Sequence, residues 1–200
     1  MVMLIKSART FIVLCLFSFT SYGQVRTLEY DVSYKGKNIG TMQLYQNQTG
    51  KNIFTKTVAD VKTNLIFTIK VNTEEESMFQ SGKLVYSNLI RRVNGKEKAN
   101  KQTKAVADTY QTFSFGKPGP VNNEAIDYNF SLLYCMEPVN KQEIYSDNFQ
   151  QFINIKKVSE HQYKIELPDG NCNYYSFQNG ICSNAELHHT FYTIHVTLKK

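Results

Sequence analysis

The chain has 200 residues, with 23 Lys and Arg against 17 Asp and Glu for a formal charge of +6. Thirteen Phe, thirteen Tyr and only four Pro exclude a disordered chain, and the length suits one hydrophobic core. A charge this small serves solubility and does not call for a nucleic-acid partner.

Lys6 and Arg9 precede an apolar run from Phe11 to Phe19, and Ser21 and Gly23 then place small residues ahead of Gln24. This is the layout of a secretory signal peptide. The run is far short of the roughly 20 apolar residues that cross a bilayer, and Cys15 in its middle is not placed for lipid attachment. We expect a signal peptide over 1–23 and a single β-rich domain over 24–200, periplasmic or extracellular, with no transmembrane segment after processing. Cleavage removes two cations and no acid, leaving a charge of +4.

The mature chain then alternates. Leu28, Tyr30, Val32 and Tyr34 share one strand face, and Lys35-Gly36 turns into residues 39–45. A strand over 53–61 follows, then Leu65, Phe67, Ile69 and Val71 at a period of two. Met78 and Phe79 sit in a weaker strand, and Leu84 to Ile90 lead into Asn94-Gly95, a strong hairpin signal. Returning strands cover 96–106 and 110–115. Gly116, Pro118, Gly119 and Pro120 break the rhythm and read as a hinge-like loop. Asn122 or Asn123 is placed to cap a helix near 123–134, whose stripe is Ile126, Phe130, Leu133 and Tyr134. Strands resume from 142 to 198, with turns at Pro168-Asp169-Gly170 and Asn179-Gly180. The pattern predicts a mostly β fold: an antiparallel meander of about twelve strands, curled into a half-open or closed barrel to limit its edges, with one short inserted helix.

Candidate chemistry is sparse. Nucleophile-elbow, zinc, phosphate-loop and dinucleotide patterns are absent from the sequence, and no cofactor or metal is called for. His189 and His195 would share a strand face about 20 Å apart, too far for one ion. Cys135 stands at the break in the β pattern, as a catalytic thiol could, but lacks a nearby histidine in sequence. Glu74, Glu75 and Glu76 alternate along a strand and read as a solvated surface rather than a calcium loop. Arg91, Lys96 and Lys98 make a basic hairpin suited to an anionic envelope surface. With Asn94-Gly95 as its turn, Arg92 faces Glu97 and Arg91 faces Lys98, an unfavourable like-charge pair. The Asn179-Gly180 turn sets Phe177 against Cys182 and Cys172 against Leu187, so Cys172 and Cys182 lie on opposite faces and should not bond. Cys135 completes an odd count.

The run Tyr30 to Met42, Phe79-x-x-Gly82-x-Leu84-x-x-Ser87, Leu133-Tyr134-x-x-Glu137-Pro138, Leu167-Pro168-Asp169-Gly170 and Tyr175 with Asn179-Gly180-Ile181 resemble a family of exported, uncharacterised β-rich proteins common in Bacteroidetes, a domain of unknown function. The resemblance implies export and a β-rich fold and transfers no site residues. In architecture the chain is loosely similar to periplasmic lipoprotein carriers, whose half-barrel and helical lid hold acyl chains, a likeness that does not license function.

The reading is of an exported, non-catalytic envelope protein. Its curled sheet binds a hydrophobic or amphipathic molecule, or a partner protein, against Ile126, Phe130, Leu133 and Tyr134. An enzyme with a site near Cys135, or a purely structural or adhesive protein, are the alternatives. Mature protein from the native host is expected to begin within a residue or two of Gln24, which N-terminal mass analysis checks; retention of Met1 would overturn export.

Overall fold

The computed structural model describes residues 23–64 and 68–199. The expected signal peptide, Gly23 excepted, and the expected strand residues Leu65 and Phe67 lie outside them. Among the described residues, fourteen strands form one antiparallel sheet. The first run comprises β1 (Gln24–Tyr34), β2 (Lys37–Thr49), β3 (Asn52–Asn64), β4 (Thr68–Gln80), β5 (Lys83–Val93), β6 (Lys96–Val106), β7 (Thr109–Ser114) and β8 (Lys117–Asn122). After the short helix α1 (Phe130–Leu133) come β9 (Glu143–Ser146), β10 (Gln151–Ser159), β11 (Gln162–Glu166), β12 (Cys172–Gln178), β13 (Ile181–His189) and β14 (Tyr192–Leu198).

Each strand pairs with its sequence neighbours, except where β1 pairs with β14, from Tyr30 opposite Leu198 to Tyr34 opposite Ile194. The two runs are thus joined through the ends of the chain, and β8 and β9 are the outer strands, β9 being bridged at Tyr145 by Asn129. The expected meander is observed as an open sheet rather than a closed barrel. The Gly/Pro stretch expected as a hinge loop instead forms β8. Its prolines fit there because β8 has a neighbour only on its β7 side, so a missing N–H costs no ladder bond on the open side.

Paired positive φ values at Asn94 and Gly95, and at Asn179 and Gly180, match the tight hairpins that Asn-Gly favours. Gly40 serves a different need: a Cβ there would collide with the Asp60 carbonyl of β3. Bulges interrupt the register at several strands, including β1, β4, β5 and β12, and bulges strengthen local twist. The one between Ser176 and Phe177 moves the partner of Cys172 from Leu187 to His188. Facing is unaffected: Cys182 is buried, Cys172 half-buried, and Cys135, Cys172 and Cys182 are all free.

One face of the sheet carries Tyr30, Leu44, Phe79, Ile165, Tyr175 and Cys182 into a common core. The connection between β8 and β10 fills that face and is stitched to both runs. The Leu84 amide donates to the Ile126 carbonyl at 2.7 Å, and the Tyr145 amide to that of Tyr128 at 3.0 Å. The Glu137 amide donates to the Gly180 carbonyl at 2.9 Å, and its carboxylate, exposed by only 9%, accepts from the Tyr163 hydroxyl at 2.9 Å. These bonds also explain why the helix expected near 123–134 shrinks to four residues. The backbone before Asn129 is committed to strand partners and cannot close helical bonds. Asn129 itself becomes the N-cap, accepting from the Leu132 amide, as N-cap side chains do.

Tyr30 anchors the connection. Its hydroxyl, fully buried, reaches the carbonyls of Tyr134 at 3.0 Å and Cys182 at 3.1 Å, and its ring meets Tyr134 edge-on at 5.6 Å. Burial raises the Tyr30 phenol pKa far above its ordinary value. Tyr30→Phe removes a buried donor from both carbonyls, leaving that of Tyr134 with only the Cys182 amide at 3.2 Å, and is expected to cost about 1–3 kcal/mol, measured by urea unfolding, with the far-ultraviolet circular dichroism unchanged.

Candidate functional site

Strand parity builds the site. On β4, Ser77 and Phe79 are buried, so Glu75 and Thr73 share their inward face. Glu74 and Glu76 turn outward, to Arg92 at 3.5 Å and Lys56 at 2.7 Å. The three glutamates are therefore not one solvated surface, because the middle one enters the interior. On β5 the same parity aligns Ser87, Leu89 and Arg91. A bulge between Arg91 and Arg92 keeps Arg92 opposite Glu97 but sets Arg91 opposite Ala99. The extra residue is Lys98 on β6, so the like-charge pair is avoided, while Arg91 keeps the inward facing that its parity with Ser87 and Leu89 sets.

Asp147, 3% exposed, enters directly after β9. Its carboxylate accepts from the Ser87 hydroxyl in a short bond and from Asn129 Nδ2 at 2.9 Å. Asn129 Nδ2 also lies 2.8 Å from Ser77 Oγ, and Ser131 Oγ donates to Glu75 Oε1 at 2.8 Å. Glu75 and Asp147 are hydrogen-bonded to each other. Burial raises the pKa of both carboxyls, and the Asp147 charge raises that of Glu75 further. Two carboxyls this close cannot both ionise cheaply, so the pair holds one proton, which Glu75 donates to Asp147. With Ser87, Asn129 and Glu75 all donating to it, Asp147 is occupied in holding that proton and not free to activate water.

Beside this pair lies a cavity of about 260 Å³. Met42, Leu89, Phe130, Phe149 and Leu187 give it apolar walls; Thr57, Glu75 and Arg91 add polar groups. Tyr134 and Tyr175, packed edge-on at 6.0 Å, close another side. A separate groove of about 310 Å³ runs along Gln151–Asn154 and Glu166–Pro168 but holds no comparable buried acid pair.

Of the four residues expected to line a ligand site, Phe130 and Tyr134 border this cavity, whereas Ile126 and Leu133 are fully buried in the core. The basic hairpin is divided: Lys96 and Lys98 stay exposed and Arg91 turns to the cavity. Cys135 is buried, its Sγ 3.5 Å from the Leu132 carbonyl, and burial pushes its thiol up to about 12. That is the setting of a packed thiol, not an activated nucleophile. His189 and His195 fall on different strands, β13 and β14, and no cluster of three metal-ligating side chains occurs among the described residues.

The model of a family described as a domain of unknown function, DUF6134, matches residues 30–199. No curated protein matches the chain. Among solved structures, a β-barrel-like protein of domain of unknown function DUF1849 from Brucella abortus is similar at a TM-score of 0.57 and 11% identity, covering 88% of this chain and 96% of its own. At that identity the likeness is one of fold.

The acid pair links stability to pH. Glu75 binds its proton more tightly in the folded chain than in the unfolded one, where its pKa is near 4.5. Its contribution is fully present below that value and is lost as pH rises through neutrality, at about 1.4 kcal/mol per pKa unit. Melting temperature is expected to fall over that range in the wild type. In Glu75→Gln the fall should flatten and the protein should be more stable above neutral pH. An unchanged slope would mean that the pair does not hold the proton.

Proposed function

Because the chain belongs to the DUF6134 family, whose description supplies no activity to inherit, we propose a function from its geometry: an exported, non-catalytic envelope protein that binds a small amphipathic molecule in its curled sheet. The observation that carries this reading is the cavity beside the Glu75–Asp147 pair. Its apolar walls combined with a few convergent polar groups are the usual make-up of a small-molecule site. Its volume of about 260 Å³ lies just under the roughly 300–1,000 Å³ of drug-sized pockets, which favours a compact ligand over a whole lipid.

Thr57 supports the same reading. Only 8% exposed, it lines the cavity and its hydroxyl has no hydrogen-bond partner among the described residues. A buried hydroxyl left without a partner is costly, and a ligand that fills the cavity would supply one. Export rests on the signal-like N-terminus, and the absence of catalysis on the occupied Asp147 and the packed Cys135. The exposed Lys96 and Lys98 remain available to an anionic envelope surface.

Ala59 lines the cavity between Met42 on β2 and Thr73 on β4, so Ala59→Phe should fill it. The variant is expected to fold at a cost of about 1–3 kcal/mol for overpacking. Untargeted mass spectrometry of wild-type protein isolated from its native compartment should find a co-purifying amphiphile that the variant lacks. Equal recovery from both proteins, or none from either, would overturn the reading.

A further inference from the structure

Arginine is the cavity's unspent cation. Arg92, its neighbour, is consumed by Glu74 at 3.5 Å and Glu97 at 3.8 Å. The Arg91 guanidinium, by contrast, makes no hydrogen bond or ion pair among the described residues, although it lines the cavity and acts electrostatically on Glu75. The acid pair does not engage it because its negative charge is already satisfied by Ser87, Asn129 and the shared proton.

The strand register places these groups. Thr57, Glu75 and Leu89 stand side by side across β3, β4 and β5. Ala59, Thr73 and Arg91 form the next inward row, two residues nearer the β5–β6 turn. Beyond them, Met42, Phe130, Phe149 and Leu187 supply apolar wall. The cavity thus has a polar side with unspent donors and an apolar remainder.

We infer that the ligand is a small carboxylate-bearing amphiphile, its carboxylate held by the Arg91 guanidinium and its apolar part against the Met42, Phe130 and Leu187 walls. This rests on the reading of the cavity as a ligand site and adds the chemistry of the headgroup. Guanidinium carries donors and no acceptor, in a fork that matches a carboxylate in two parallel bonds. A phosphate is disfavoured because it brings up to two negative charges toward the retained charge of Asp147, where a carboxylate brings one. The unpartnered Thr57 hydroxyl adds a further donor one row away.

Calorimetric titration with sodium octanoate, 1-octanol and octyl phosphate separates the possibilities. Wild-type protein is expected to bind octanoate at least roughly tenfold more tightly than octanol or octyl phosphate. Arg91→Gln should bring octanoate binding down to the level of octanol, and Arg91→Lys should keep part of the preference. The Arg91→Gln protein must show the wild-type far-ultraviolet spectrum; if it does not, the Arg91→Lys titration and the wild-type ranking decide. Octanol binding as tightly as octanoate, indifferent to Arg91, would overturn the headgroup assignment and leave the ligand site standing. Tighter binding of octyl phosphate would overturn it in favour of a phosphate. If none of the three binds, and no amphiphile co-purifies with the wild type, the ligand site and the headgroup fall together.

Discussion

A sheet curled this far encloses more inner surface than its own side chains fill, so some other chain must enter and have its backbone satisfied there. The connection from β8 to β10 is that chain, and most of the molecule's particular features follow from keeping its polar groups paired. Leu84, Tyr30, Gly180 and Cys182, drawn from both runs of strands, each meet a backbone group of the connection. Buried amide and carbonyl groups without partners would cost more than the apolar stripe gains. The connection therefore forms one helical turn and short turns closed by its own bonds near Cys135 and Val139, and is elsewhere tied to strands.

The same demand shapes the polar interior. Asn129 cannot both cap α1 and sit buried unless its amide nitrogen is also used, and it is, by Ser77 and Asp147. Asp147 in turn needs donors that Ser87 and a protonated Glu75 provide. Each member is present because its neighbour would otherwise be unsatisfied, which makes the cluster behave as a unit. Arg91 stands outside that closed set although it faces the same cavity. Buried side-chain atoms of Arg26, Gln46, Thr55 and Asn88 also lack partners among the described residues, but only at this cavity does such a group, the Thr57 hydroxyl, stand beside an unpaired cation and open space.

The fold was largely legible. Period-two alternation from Leu28 to Ile90 and the Asn-Gly turns gave the meander, because turn chemistry and side-chain facing act locally. What the pattern could not convey was decided across the sheet. The stripe Ile126, Phe130, Leu133 and Tyr134 is buried or partly buried as expected; helical spacing holds for Phe130, Leu133 and the C-cap Tyr134, whereas Ile126 sits on chain whose carbonyl is bonded to Leu84 of β5. The prolines at 118 and 120 read as a loop, because nothing local says that β8 would be an edge.

The site was less legible, for a reason that individual residues make plain. Glu75 could have been found by counting back in twos from Phe79, the first secure core residue of its strand. That count was obscured by the two flanking glutamates, which make the triplet look uniformly exposed. Arg91 defeats even this method, since counting in twos from buried Leu84 turns Ile90 inward; the bulge that leaves Val85 without a partner on β4 shifts that count, so that Ser87, Leu89 and Arg91 face the interior. Asp147 carries no local signal, for it follows a four-residue strand and gains its role from Ser87, Glu75 and Asn129, all distant in sequence. Parity thus reveals which residues can face inward, while bulges and long-range contacts decide which of those residues meet, and function resides in the meeting.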